Sequence, residues 1–206
     1  MISAVVLAAG RSTRMGRNKL VLPLDGKPVL QRVLDALRDS KVDETVVVLG
    51  GGAEEVRRSI ELGGTKAVVN RRYAEGMSTS IKAGLARVDS STDAAVIVLG
   101  DQPFLSAALV DALIDAFQAE RAPVVLPVHR GKRGNPVLFA RSVFPEIMRI
   151  GGDRGAKSVV EAHEHNVLEV EAEDAEAVID VDTPSDYERA ALLFRQVKQR
   201  RTRGTA

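Results

Sequence analysis

A chain of 206 residues, 45% hydrophobic and 28% charged, has the size of one domain and the balance of a folded one rather than a disordered one. It holds no cysteine, which excludes disulfides, thiolate metal centres, iron–sulfur clusters and a cysteine nucleophile. Its net charge of +1 hides an uneven spread, with residues 1–35 at +4, residues 161–190 at −10 and five bases in the last twelve residues.

Val5–Ala9 is an apolar run inside a predicted strand, Ser3–Ala8. It is too short to span a membrane and no basic leader precedes it, so no membrane partner and a cytoplasmic location are expected. Pro28 opens a predicted helix with Val29, Leu30, Val33, Leu34 and Leu37 on one face. Thr45–Leu49 reads as a strand, and glycines 50–52 as its turn into a helix. Lys66–Val69 is a third strand, Met77–Val88 a helix and Ala94–Leu99 a fourth strand. Ser106 caps a helix carrying Leu109, Val110, Leu113, Ile114 and Phe117, before a strand at Val124–Pro127. Pro127–Asp182 is richer in glycine and charge and predicts a mixed region with an antiparallel strand at Val137–Phe139. Thr183-Pro184-Ser185-Asp186 reads as a capping box with a first-turn proline, opening the last helix. Continuous β-branched runs between helices predict an α/β fold with a doubly wound, mostly parallel sheet. Residues 1–197 are expected to form a single domain, and 198–206 a basic, frayed tail.

In such folds the ligand lies outside the carboxyl ends of the strands. The first strand runs into Leu7-Ala8-Ala9-Gly10-Arg11-Ser12-Thr13-Arg14-Met15-Gly16-Arg17-Asn18-Lys19. Its glycines let the backbone approach a ligand, its successive amides favour an anion, and Arg14 and Lys19 add fixed positive charge. The spacing is neither that of a Walker loop nor that of the dinucleotide fingerprint. After the fourth strand comes Gly100-Asp101-Gln102-Pro103, where Asp101 is placed either to hold a metal or to turn the chain. Val178-Ile179-Asp180-Val181-Asp182 alternates, which puts Asp180 and Asp182 on one face. With three histidines in all, a metal site is most simply built from these carboxylates, which favours hard ions such as magnesium. Aromatics are 3% with no tryptophan, leaving few stacking surfaces for single strands, and no nucleic-acid partner is expected.

Leu7–Lys19 resembles the L-A-A/G-G-x-S-x-R-M-G-x-x-K signature of nucleotidyltransferases that activate sugars, alcohols and molybdopterin. Gly76-Met77-Ser78-Thr79-Ser80-Ile81, the Gly100–Pro103 segment, Arg133-Gly134-Asn135-Pro136, Gly152-Asp153-Arg154-Gly155 and Asp180–Pro184 follow in the order of the MobA-like molybdenum cofactor group. The resemblance covers nearly the whole chain. It implies a Rossmann-like fold of the nucleotide-diphospho-sugar transferase type with a mixed acceptor side, a magnesium-dependent reaction and release of pyrophosphate. By the same resemblance Leu7, Ala8, Ala9 and Gly10 meet the nucleotide, and Arg14 and Lys19 hold its triphosphate. Asp101 and Asp182 bind the metal, Gly76, Ser78 and Ser80 line the base and ribose side, and Asn135, Asp153 and Arg154 face the acceptor.

Leu7-Ala8-Ala9-Gly10 resembles the cytidylyl form of the motif, whereas the guanylyl form has Leu-Ala-Gly-Gly. A methyl at Ala9 tightens a base pocket, and one methyl discriminates by about 1–3 kcal/mol. The expected reaction is attack by the terminal phosphate of a molybdopterin-type acceptor on the α-phosphorus of CTP, roughly in line. An acceptor phosphate that is already anionic needs no strong general base, so catalysis rests on positioning and charge neutralisation by Arg14, Lys19 and magnesium. The product would pass to a molybdenum hydroxylase. Alternatives are GTP as donor, another phosphorylated acceptor, or a non-catalytic factor that delivers cofactor to such a hydroxylase.

Overall fold

The computed structural model describes residues 1–10, 12, 15–153, 155–172 and 179–203, with side chains described to residue 196 in the last stretch. In chain order the elements are β1 (Ile2–Ala8), β2 (Pro23–Leu24), β3 (Lys27–Pro28), α1 (Val29–Arg38), β4 (Glu44–Leu49), α2 (Ala53–Ser59), β5 (Lys66–Val69), α3 (Met77–Leu85) and β6 (Ala94–Leu99). The second half adds α4 (Ala107–Glu120), β7 (Val124–His129), β8 (Lys132–Arg133), β9 (Val137–Ala140), α5 (Phe144–Ile147), α6 (Lys157–Ala162), β10 (Val167–Glu171) and α7 (Pro184–Arg203).

The main sheet runs β10-β7-β9-β6-β1-β4-β5, with β8 hooked onto β7 and β2–β3 forming a separate small hairpin. β1 is central and parallel to both neighbours, with Leu7 opposite Val48 on one side and Leu99 on the other. Along this path β9 alone runs against the rest, pairing antiparallel with β6 and β7. The fold is therefore the expected mixed, mostly parallel α/β sheet, with its antiparallel strand where Val137–Phe139 predicted one.

The middle strands read as unbroken apolar runs because both their faces are covered. Val5, Val6, Val47, Val48, Val96 and Val98 are fully buried, and each such side chain contributes about 1.5–3 kcal/mol relative to exposure. All five apolar residues of the predicted α1 stripe are buried, and four of them, Leu30, Val33, Leu34 and Leu37, pack onto this core. α3 approaches so closely that a Cβ on Gly84 would fall 2.2 Å from Val5 Cγ1 and 3.0 Å from Val48 Cγ2. α4 starts where Ser106 Oγ accepts from the Leu109 amide at 3.2 Å. The capping box of α7 also forms: the Thr183 amide donates to Asp186 Oδ2 at 2.9 Å, and the Asp186 amide to Thr183 Oγ1 at 3.2 Å. α7 packs on a second apolar cluster containing Met15, Leu22, Leu24, Val29 and Val181. Among the described residues no helix is long and apolar enough to cross a membrane.

β1, β4, β5 and β6 all point the same way, so their carboxyl ends open on one crevice. The residues that follow each of these strands form the site.

Candidate active site

β1 delivers Leu7, Ala8, Ala9 and Gly10 to the crevice, and β6 delivers Gly100, Asp101 and Gln102. Little room separates the strand ends. A Cβ on Gly50, after β4, would lie 2.5 Å from the Ala9 carbonyl oxygen, so only glycine fits there. The loop after β1 turns back on itself. The Lys19 amide donates to Ser12 Oγ at 3.1 Å, and Asn18 Oδ1 caps the short turn at Lys19–Val21 by accepting from the Leu20 amide at 3.2 Å. From the other end of the chain the Val181 amide donates to the Asp101 carbonyl at 3.1 Å. Val181 is buried, and the carboxylates on either side of it are left facing the crevice.

These three segments meet at one cation. Lys19 Nζ lies 2.5 Å from Asp101 Oδ2 and 2.6 Å from Asp182 Oδ1. Burial alone would lower the Lys19 pKa, but the charges and hydrogen bonds of Asp101 and Asp182 outweigh it and hold the ammonium above its ordinary value. Asp180 sits beside them. Gln102 is buried and donates its Nε2 to Asp180 Oδ1 at 2.6 Å, while its Oε1 finds no hydrogen-bond partner among the described residues. Packing around Asp180, then the nearby charge of Asp101, pushes its carboxyl above the usual aspartate value, and the bond from Gln102 offsets only part of this.

Around this cluster lies a cavity of about 430 Å³. Leu7, Ala8, Ala9, Gly10, Lys19, Ser80, Asp101, Asp153 and Asp182 all line it, so most of the expected nucleotide and metal residues converge. Gly76 and Ser78 do not line it; they pack against the Gly152–Asp153 segment beside it. The Ser78 amide donates to the Gly152 carbonyl at 3.2 Å, and Gly76, at φ +112°, leaves no space for a Cβ, which would meet Gly152 O at 2.6 Å and Asp153 Oδ1 at 2.8 Å. Ser80 Oγ accepts from Asn70 Nδ2 at 3.0 Å. Asn135, which precedes a cis proline peptide, lines a second, more apolar cavity of about 380 Å³ next to the first. Arg14 and Arg154 lie outside the described residues.

Two contacts were invisible in the motifs. Tyr73 lines the first cavity and packs over Gly51, whose Cβ would stand 3.1 Å from the tyrosine hydroxyl. Gln102 acts as the partner of Asp180, a pairing across 78 positions that no local spacing reveals.

Among the described residues no group of three or more histidines and carboxylates surrounds a common metal position. Carboxylates of Asp101, Asp153, Asp180 and Asp182 do line the crevice, an all-oxygen donor set. That set fits magnesium or manganese, which typically take one or two carboxylates and complete their shell with substrate phosphates and water. It does not fit a soft metal.

Residues 4–167 match a family model described as the MobA-like NTP transferase domain. The purine catabolism protein PucB of Bacillus subtilis is 31% identical over 89% of this chain and 93% of its own length. The molybdenum cofactor cytidylyltransferase of Escherichia coli is 26% identical over 95% of this chain and 98% of its own. Among solved structures, Rv0371c of Mycobacterium tuberculosis superposes with a TM-score of 0.84 at 36% identity, covering 92% of this chain and 97% of that one, and it has also been solved as a complex with manganese.

Proposed function

The chain belongs to the MobA-like NTP transferase family, and from that premise we propose that it moves CMP from CTP to the terminal phosphate of molybdopterin or its molybdenum-bearing form, releasing pyrophosphate. The observation that carries this reading is the convergence of Lys19, Asp101 and Asp182 on the crevice bordered by Leu7–Gly10. The backbone of Ala8–Gly10 offers a close seat for the nucleotide, and Lys19 offers a cation for its phosphates. Asp101 and Asp182 would hold magnesium, which supplies charge neutralisation to the phosphate oxygens when bound. Asp153 and Asn135 lie toward the acceptor, one in each cavity. No histidine lines either cavity, in keeping with an acceptor phosphate that needs no strong base. Ala9, buried against Gly50, narrows the nucleotide side and favours the smaller pyrimidine. A cytoplasmic setting suits these substrates.

The test is a panel of ATP, CTP, GTP and UTP with magnesium and molybdopterin, scored by pyrophosphate release. CTP is expected to be used fastest. A preference for GTP overturns the reading of Ala9. No release with any triphosphate overturns transfer to molybdopterin and favours another acceptor or a delivery factor.

A further inference from the structure

The two cavities are neighbours with opposite chemistry. The first is walled by Lys19, Asp101, Asp153 and Asp182, and the second mainly by aliphatic and aromatic side chains, among them Ile81, Ile97, Leu126 and Phe139. Three residues line both: Leu7, Met77 and Leu99. Leu7 and Leu99 stand opposite each other at the ends of β1 and β6, so they form a shared floor. Met77 is different. It is the first residue of α3 and is 42% exposed, unusual for a large apolar side chain in this fold. Its position is fixed from outside. The Ser78 amide is bonded to Gly152, Gly76 is packed on Gly152 with no space between them, and a Cβ on Gly155 would lie 2.9 Å from the Met77 sulfur. The start of α3 is therefore clasped against Gly152 and Gly155, with the thioether at the boundary.

We propose that Met77 is a specificity-determining residue, a partition between the nucleotide chamber and the acceptor chamber that packs against both molecules when they are bound. This rests on the nucleotidyl-transfer reading and deepens it. A methionine suits the role because it is unbranched and polarizable, and adapts to two different surfaces. Its exposed apolar area borders both cavities, where bound ligands would cover it. The second chamber also defines the acceptor class. A chamber walled by Ile81, Leu126, Val137 and Phe139, with Arg133, Asn135, Lys157 and Glu161 as its polar side chains, fits a phosphate ester with a largely apolar or flat body and polar groups at its edge. A plain sugar phosphate would leave the apolar walls unmatched.

The experiment exploits the absence of cysteine, because Met77→Cys places a single thiol in the whole chain. Its alkylation by iodoacetamide is followed with no ligand, with magnesium and CTP, and with naphthyl phosphate as an apolar-bodied phosphate ester. Each ligand alone is expected to slow alkylation about fivefold or more. Protection by only one of them, or by neither, overturns the partition. In parallel, Met77→Ala is expected to raise the acceptor KM about tenfold while Met77→Leu restores it, the scale of one lost apolar contact in a pocket. The melting temperature of both variants stays within about 2 °C of wild type, since the side chain is partly exposed. An unchanged acceptor KM in Met77→Ala, or a loss that Met77→Leu fails to restore, also overturns it. If the unsubstituted protein releases no pyrophosphate with molybdopterin, the functional reading falls, and thiol protection still decides the role of Met77.

Discussion

At the scale of single residues, the site is organised around a shared ammonium. Lys19 is held between Asp101 and Asp182. By bonding both at once, the ammonium fixes where the two carboxylates point. Removing either kind of charge disables the same machinery from opposite sides. Lys19→Met and Asp101→Asn are each expected to lower turnover by about 100-fold or more, the loss typical of a deleted charge-stabilising group. Circular dichroism spectra should stay unchanged, because both side chains sit at the crevice rather than in the core. Near-normal turnover in either variant would remove that residue from the mechanism.

At the scale of elements, α1 shows how polar contacts tie a helix to its surroundings. Asp35 accepts from Lys27 Nζ on β3 at 2.5 Å and from Gln31 Nε2 at 2.9 Å, with Arg38 at 3.0 Å. Burial pushes its carboxyl up, but Lys27, Gln31 and Arg38 outweigh it and hold the pKa below the ordinary 3.8. The folded state therefore favours the ionised form more than the unfolded chain does. The resulting stability is complete above the ordinary value and is lost as pH falls through the lower folded value. Asp35→Asn is expected to cost about 1 kcal/mol at neutral pH. In thermal melts its gap from wild type should close below about pH 4, as protonation removes the same charge from wild type. A gap that persists unchanged to pH 3 would show that the charge contributes nothing. The elements themselves were largely legible in the sequence. β1, β4 and β6 are buried on both faces, so runs of valine, isoleucine, leucine and alanine fill their middles and the pattern is unmistakable. β10 was not, because Val-Leu-Glu-Val-Glu mixes acids into a partly exposed edge strand and carries no strong pattern. Asp180 and Asp182 do face one crevice, as their alternation predicts, yet residues 179–182 are not a strand. Buried Val181 and its bond to Asp101 set their direction. Of the site, the loops were readable from their motifs. The Lys19–Asp182 and Gln102–Asp180 pairings were not, because only the tertiary fold brings such distant residues together.

At the scale of the whole molecule, α7 works as a brace. Phe194 stacks near Phe104 with ring centroids 5.2 Å apart, and the Arg32 guanidinium lies 3.9 Å over the Phe194 ring. The Tyr187 hydroxyl donates to the Pro23 carbonyl at 2.5 Å. The same apolar cluster holds Met15, at the far side of the β1 loop, and Val181, between the two carboxylates. Stability of the brace and geometry of the site are thereby linked. Phe194→Ala is expected to cost about 2–3 kcal/mol in denaturant unfolding, through lost packing and a lost cation–π contact. It should also depress turnover although Phe194 does not line the cavity. A change under about 0.5 kcal/mol would show that α7 is only loosely attached.

The position of β1 at the centre of the sheet has a consequence for how the protein is born. β1 needs two neighbours, and the second of them, β6, is not made until residue 99. For much of synthesis the nascent chain carries an apolar strand with one edge open, the kind of edge that recruits a wrong partner. Lys19 waits longer still, since Asp182 lies 163 positions downstream. The fold can therefore begin early, but the charge cluster forms only once residue 182 has emerged, so a nascent chain acquires its chemistry at a late step of its own translation.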